Sequence, residues 1–133
     1  MSDIFFEQLN IPKPSYNLAI NNLSHGAMTG QMLEKIEELI QSNTKILYAE
    51  SPTNPAVDII DLELLGVIAK KYNLLLIIDN CFATPYLQNP IDFGADLVIH
   101  SATKLIDGQG RVLGGVVVGK KELIREIYLF SRN

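Results

Sequence analysis

LLLIID, residues 74–79, stays apolar for five positions and then ends on a carboxylate, Asp79. A strand with one face in water alternates apolar with polar side chains, whereas an unbroken run of this length predicts a strand covered on both faces, as in a parallel sheet. ADLVIH (95–100) repeats the pattern, KILYA (45–49) gives a shorter buried strand, and VLGGVVVG (112–119) another. Helical periodicity fills the intervals. QMLEKIEELIQ (31–41) puts Met32, Leu33, Ile36, Leu39 and Ile40 on one face and stops near Ser42 and Asn43. Asp61 is an N-cap for a second helix carrying Leu62, Leu65, Ile68 and Ala69 as far as Tyr72, with Asn73 in the left-handed closing position. KKELIREIYLF (120–130) is a closing helix. Pro52 and Pro55 keep ESPTNPA irregular, and residues 1–30, rich in Asn, Pro, Ser and Gly, read as irregular or turn-forming. Strand alternating with helix makes this an α/β fold with a largely parallel sheet.

Composition limits the functions available. The chain has 133 residues, 47% of them hydrophobic and 20% charged, enough for one modest domain with a core but not for two. A formal net charge of −4 with no Lys/Arg stripe argues against nucleic-acid binding. No apolar run approaches 18 residues, and the acidic start MSDIFFEQLN has no signal-peptide pattern, so neither a membrane span nor export is expected. The single cysteine, Cys81, rules out an internal disulfide framework and suits a reducing compartment, with the cytoplasm as the expected location. His25 and His100 stand apart from any ligand cluster, so no metal is implied.

In open α/β sheets ligands bind outside the carboxyl ends of the strands. Asp79 ends one strand, and Ser101, Thr103 and Lys104 follow another. If the two strands are neighbours, an amine and a carboxylate face one crevice. A lysine amine forms a Schiff base with an aldehyde cofactor, a carboxylate keeps a pyridine nitrogen protonated, and two hydroxyls suit a phosphate, which together is pyridoxal-phosphate chemistry. From pattern alone the plainer alternatives stay open: a lysine after a strand is most often a solvated loop residue, and an aspartate there a cap or turn former. Cys81 lacks a matched base and reads as packed. GQGRVLGG, with glycines at 108, 110, 114 and 115, misses the dinucleotide-binding spacing and reads as a tight turn with close backbone approach, in which Arg111 orients the loop, reaches an acidic ligand or is solvated.

YAESPTNP, LLIIDNCFATPYLQNPIDFGADLVIHSATKLIDGQGRVLGGVVVG and KKELIREI resemble the cofactor-binding core of the Cys/Met-metabolism family of pyridoxal-phosphate enzymes, over residues 43–133. The family includes cystathionine synthases and lyases, methionine lyase and homoserine-ester sulfhydrylases. DNCF and GQGR look closest to the O-succinylhomoserine sulfhydrylases within it. The resemblance implies part of the large domain of a fold type I, aspartate aminotransferase-like enzyme. It implies that Lys104 is the Schiff-base lysine and proton shuttle, Asp79 the partner of the pyridine nitrogen, Ser101 and Thr103 phosphate-binding hydroxyls, and Asn54 a neighbour of the ring's phenolic oxygen. Phe82, Thr84 and Pro85 would pack the cofactor. The implied reaction is γ-replacement on an activated homoserine, giving homocysteine or cystathionine in transsulfuration and methionine biosynthesis, on a small amino-acid substrate.

Residues 1–42 carry a different resemblance. FFEQLNIPKPSYNLAINNLSHGAMTGQMLEKIE is similar to an internal stretch of UDP-N-acetylglucosamine 2-epimerases, with the join expected within residues 30–43. Against the pyridoxal family the sequence lacks an upstream glycine-bearing helix start for the phosphate, an aromatic for the ring, and a C-terminal domain for the substrate carboxylate. Three readings follow: an enzyme-family fragment that retains cofactor binding, a non-catalytic partner of a full-length relative or of its own copy, and a remnant without activity.

Overall fold

In the computed structural model, which describes residues 3–132 except the side chains of Asp3, Phe5 and His25, the chain forms four strands in sequential order. They are β1 (Ile46–Glu50), β2 (Leu75–Asp79), β3 (Leu97–Ser101) and β4 (Gly115–Gly119). The first three pair in parallel, with Glu50 opposite Asp79 and Asp79 opposite Ile99. The fourth is antiparallel to β3, Ser101 facing Gly115. The sheet is therefore largely parallel, with its direction reversed at one edge.

Five α-helices lie among the described residues: α1 (Asp3–Gln8), α2 (His25–Leu39), α3 (Leu62–Lys71), the short α4 (Thr84–Leu87) and α5 (Lys121–Phe130). α3 forms as its sequence dictates. The Asp61 side chain accepts from the Leu64 N–H at 3.0 Å, Lys70 and Lys71 lie in the last turn where the helix dipole favours cations, and Asn73 closes it at φ 53°. Its Leu65, Ile68 and Ala69 pack with Leu47, Leu76, Ile78 and Val98 from one face of the sheet. α2 joins that core through Leu33, with Met32, Ile36 and Ile40 packed against it.

Two expectations are corrected. Residues 1–30 contain helix, because α1 spans Asp3–Gln8 and α2 begins at His25, six positions before the predicted start. Gly26 and Gly30 mask that first turn in the sequence, and the Ser24 side chain makes no capping hydrogen bond there. The LLLIID strand is fully buried on one face and only half-buried on the other. On the other face Leu97 is buried, Leu75, Ile77 and Ile99 are half-buried, and Ile46, Tyr48 and Val117 are exposed. Both α2 and α3 lie on the first side.

Candidate functional site

The parallel register fixes the site, because side chains two apart share a sheet face. Tyr48 and Glu50 on β1, Ile77 and Asp79 on β2, and Ile99 and Ser101 on β3 all point to the more open face. Past the carboxyl ends, three loops close around a cavity of about 440 Å³ lined by Glu50, Asn54, Cys81, Phe82, Ser101, Lys104 and Leu105. Three predicted site residues, Asn54, Ser101 and Lys104, thus meet at one opening. Asp79 and Thr103 do not line it.

Asp79 lies beside the opening, held from two directions. Its Oδ1 accepts from the Cys81 N–H at 3.1 Å and its Oδ2 from the Tyr48 hydroxyl at 3.2 Å. Thr103 is turned away: its hydroxyl accepts from the Gly114 N–H at 3.0 Å and donates to the Gly114 carbonyl at 3.2 Å, which clamps the returning chain. Lys104 stands in a wide turn, Ala102–Ile106, that kinks at Lys104 itself (φ −96°, ψ −126°). Among the described residues its exposed amine has no hydrogen bond or ion pair.

The GQGR segment forms the tight turn expected of it, with Gly108 and Gly110 at φ 67° and 68°, a region only glycine enters freely. Asp107 organises that turn. Its carboxylate accepts from the backbone N–H groups of Gln109 and Arg111 at 3.2 and 2.8 Å, and the Arg111 guanidinium approaches to 3.6 Å.

Under the cavity floor lies a polar row that the sequence did not suggest. Asn80 is fully buried and donates to the carbonyls of Thr84 and Gln88 at 3.1 and 2.9 Å. Its own carbonyl accepts from Gln88 Nε2 at 2.8 Å, and the same nitrogen donates to the Ser51 carbonyl at 2.7 Å. Gln88 therefore ties the loop after β1 to the loop after β2. The network also holds Thr84, a β-branched residue at φ 62°, in a conformation such residues rarely adopt. Next to Asn80, Cys81 joins β2 to β3, since its Sγ accepts from the Ser101 N–H at 2.9 Å. Burial, then the neighbouring Asp79 carboxylate, push the Cys81 thiol up to about 11, and the Ser101 N–H only partly opposes this. Partial shielding from water, then the Asp79 charge, likewise raise the Tyr48 phenol.

Two further groups on this face escaped the sequence reading. Glu50 ends β1 as Asp79 ends β2, so the strand-end rule already pointed to it; its Oε2 accepts the Asn54 N–H at 3.5 Å. Tyr48 precedes Glu50 by the strand period of two. Among the described residues no three His, Cys, Asp or Glu side chains cluster as a metal site, and no helix is long and apolar enough to cross a membrane.

The polar set suits pyridoxal phosphate: an unpaired amine, a carboxylate fixed by two donors, a hydroxyl at a strand end and a volume within the range of small-molecule sites. Comparison with known proteins points the same way. The family described as Cys/Met metabolism PLP-dependent enzyme matches residues 16–133, taking in α2 and the segment before it. The O-succinylhomoserine sulfhydrylase of Pseudomonas aeruginosa is 51% identical over 96 residues, covering 72% of this chain and 24% of that one. The cystathionine gamma-lyase of Bacillus subtilis is 52% identical over 101 residues, 75% of this chain and 27% of its own. The crystal structure of cystathionine gamma-lyase from Lactobacillus plantarum complexed with L-serine superposes with a TM-score of 0.67 at 44% identity, over 71% of this chain and 25% of that chain. The chain thus spans about a quarter of the length of the relatives it matches.

Proposed function

The chain belongs to the Cys/Met metabolism PLP-dependent enzyme family, and on that premise we propose that it is the lysine-bearing portion of a cytoplasmic sulfur-amino-acid enzyme whose reaction is γ-replacement on an activated homoserine. Pyridoxal phosphate, when bound, supplies an aldehyde that captures amines and a ring that takes up electron density. In this reading Lys104 Nζ holds the aldehyde and carries the proton between substrate carbons, and Asp79 faces the ring nitrogen. Ser101 and Thr103 serve the phosphate, Thr103 through the turn it clamps, and Asn54 serves the ring oxygen. The observation that carries the reading is the meeting of Lys104, Ser101 and Asn54 around one cavity, with Asp79 next to it. Residues 1–42, read as an epimerase-like segment, contribute α2 to the same core.

The test is to add pyridoxal phosphate to the purified chain, reduce with borohydride and map the adduct by mass spectrometry. A single adduct on Lys104, absent in Lys104→Ala, is expected. No adduct, or one scattered over the surface lysines, would sink the reading.

A second reading, as a partner subunit of a full-length relative or of another copy, is favoured by the apolar sheet face on which Ile46, Tyr48 and Val117 are exposed. Elution as a lone chain that does not bind such a relative would exclude it.

A further inference from the structure

Asp79 has two oxygens, and each is met by a donor from a different strand segment. The Cys81 N–H comes from the residue pair just beyond Asp79 itself, so any sequence that makes this turn supplies it. The Tyr48 hydroxyl comes from β1, across the parallel pairing that sets Tyr48 against Ile77 and Glu50 against Asp79. Tyr48 is therefore the diagonal neighbour of Asp79 on one sheet face, a separation that an aromatic side chain bridges. With one donor, a carboxylate can still swing about its last bond. With two, from two directions, its plane is fixed, and its remaining lone pairs stay available because a carboxylate has about four acceptor positions. The phenol is displaced to higher pH by partial shielding from water and by the Asp79 charge, so it stays a donor throughout the neutral range.

We propose that Tyr48 is a positioning residue: its hydroxyl, donated to Asp79 Oδ2, holds the carboxylate in the orientation in which it meets a ring N–H at the carboxyl end of β2. The inference rests on the assignment of Asp79 to the ring nitrogen made above. It concerns a residue that the cofactor need not touch.

The test compares two aldehydes on the full chain: pyridoxal phosphate and its analogue with C–H in place of the ring nitrogen. Tyr48→Phe removes the hydroxyl and keeps the ring that packs on the sheet. Binding of pyridoxal phosphate should weaken by about three- to tenfold, the range expected for one lost hydrogen bond, while binding of the analogue stays unchanged, because only the first ligand uses the Asp79 carboxylate. Asp79→Asn should erase the difference between the parent and Tyr48→Phe. If Tyr48→Phe weakens both aldehydes equally, its role is structural and the inference is overturned; it is equally overturned if neither aldehyde is affected. If the parent binds neither aldehyde through Lys104, the proposed function itself fails and takes the inference with it, an outcome distinct from the other two.

Discussion

Cys81 offers a direct measurement of the electrostatics around the site, since it is the single cysteine of the chain and any thiol reagent reports on it alone. Burial, followed by the Asp79 carboxylate, lifts its thiol from an ordinary value of 9.0 to about 11. At pH 8 a thiol at the lower value is roughly one-tenth thiolate and a thiol at the upper value roughly one part in a thousand, a loss of about ninety-fold in the reactive species. The more basic thiolate is also the better nucleophile, by about six- to tenfold across two pH units of basicity. The net expectation is alkylation of the folded chain about tenfold slower than of the same chain in urea. Iodoacetamide time courses read by intact mass supply the assay, and the rate should climb without a plateau from pH 8 to pH 10. A folded rate equal to the urea rate, or a plateau near pH 9, would show that neither burial nor Asp79 acts on the thiol as described. The same shift has a consequence for stability. A folded-state value above the unfolded one means that the contribution is intact below about pH 9 and is lost as pH rises towards 11. At full ionisation the loss is on the order of 3 kcal/mol. Cys81→Ser, whose hydroxyl can still accept the Ser101 N–H, should lose less stability between pH 8 and pH 10 than the parent.

Three more expectations bear on the scaffold and the site. Gly66→Ala in α3 would drive a Cβ into the Phe93 carbonyl oxygen, whereas Gly30→Ala in α2 meets nothing within 4 Å. The first should lower stability by about 1–3 kcal/mol despite alanine's better helix propensity, and the second should raise it by about 0.5–1 kcal/mol, both read from urea midpoints; equal effects would refute the packing of α3 on the turn before β3. Asn80→Ala strips the Thr84 and Gln88 carbonyls of their buried donor and should cost about 2–4 kcal/mol, with faster proteolysis in the loop after β2; an unaffected melting temperature would contradict the network. The Tyr48 phenol, followed by tyrosine-ring NMR, should titrate above its ordinary value and move down in Asp79→Asn, and an unmoved titration would mean that the carboxylate is not its neighbour.

The sequence made some elements legible because a local rule and a tertiary need coincided. In α3, the apolar spacing, the Asp61 cap and the left-handed Asn73 agree with one another and with the core. The α2 start was hidden because glycines 26 and 30 weaken the helical pattern, and only packing of Leu33 and Ile36 on the core makes the helix worthwhile. The reversed direction of β4 could not be read from VLGGVVVG, since composition is indifferent to strand direction. What sets it is the connection from β3, a wide turn and a glycine loop with no crossover helix to carry the chain back to the other end of the sheet. The same indifference hid the open face: Ile77 and Ile99 are as apolar as Ile78 and Val98, though only the latter pair is packed beneath helices. For the site, the strand-end rule carried further than the individual residues first taken from it. Parallel register places Glu50, Asp79 and Ile99 abreast, and the period of two then brings Tyr48 and Ser101 to the same face. Lys104 lies outside that regularity. Its position depends on a kink that no periodicity announces, and on Thr103 and Cys81 fastening the turn on either side through Gly114 and Ser101. Locating the crevice thus needed only the sheet, whereas aiming the amine at it depends on side-chain bonds from residues whose sequence context marks them as ordinary.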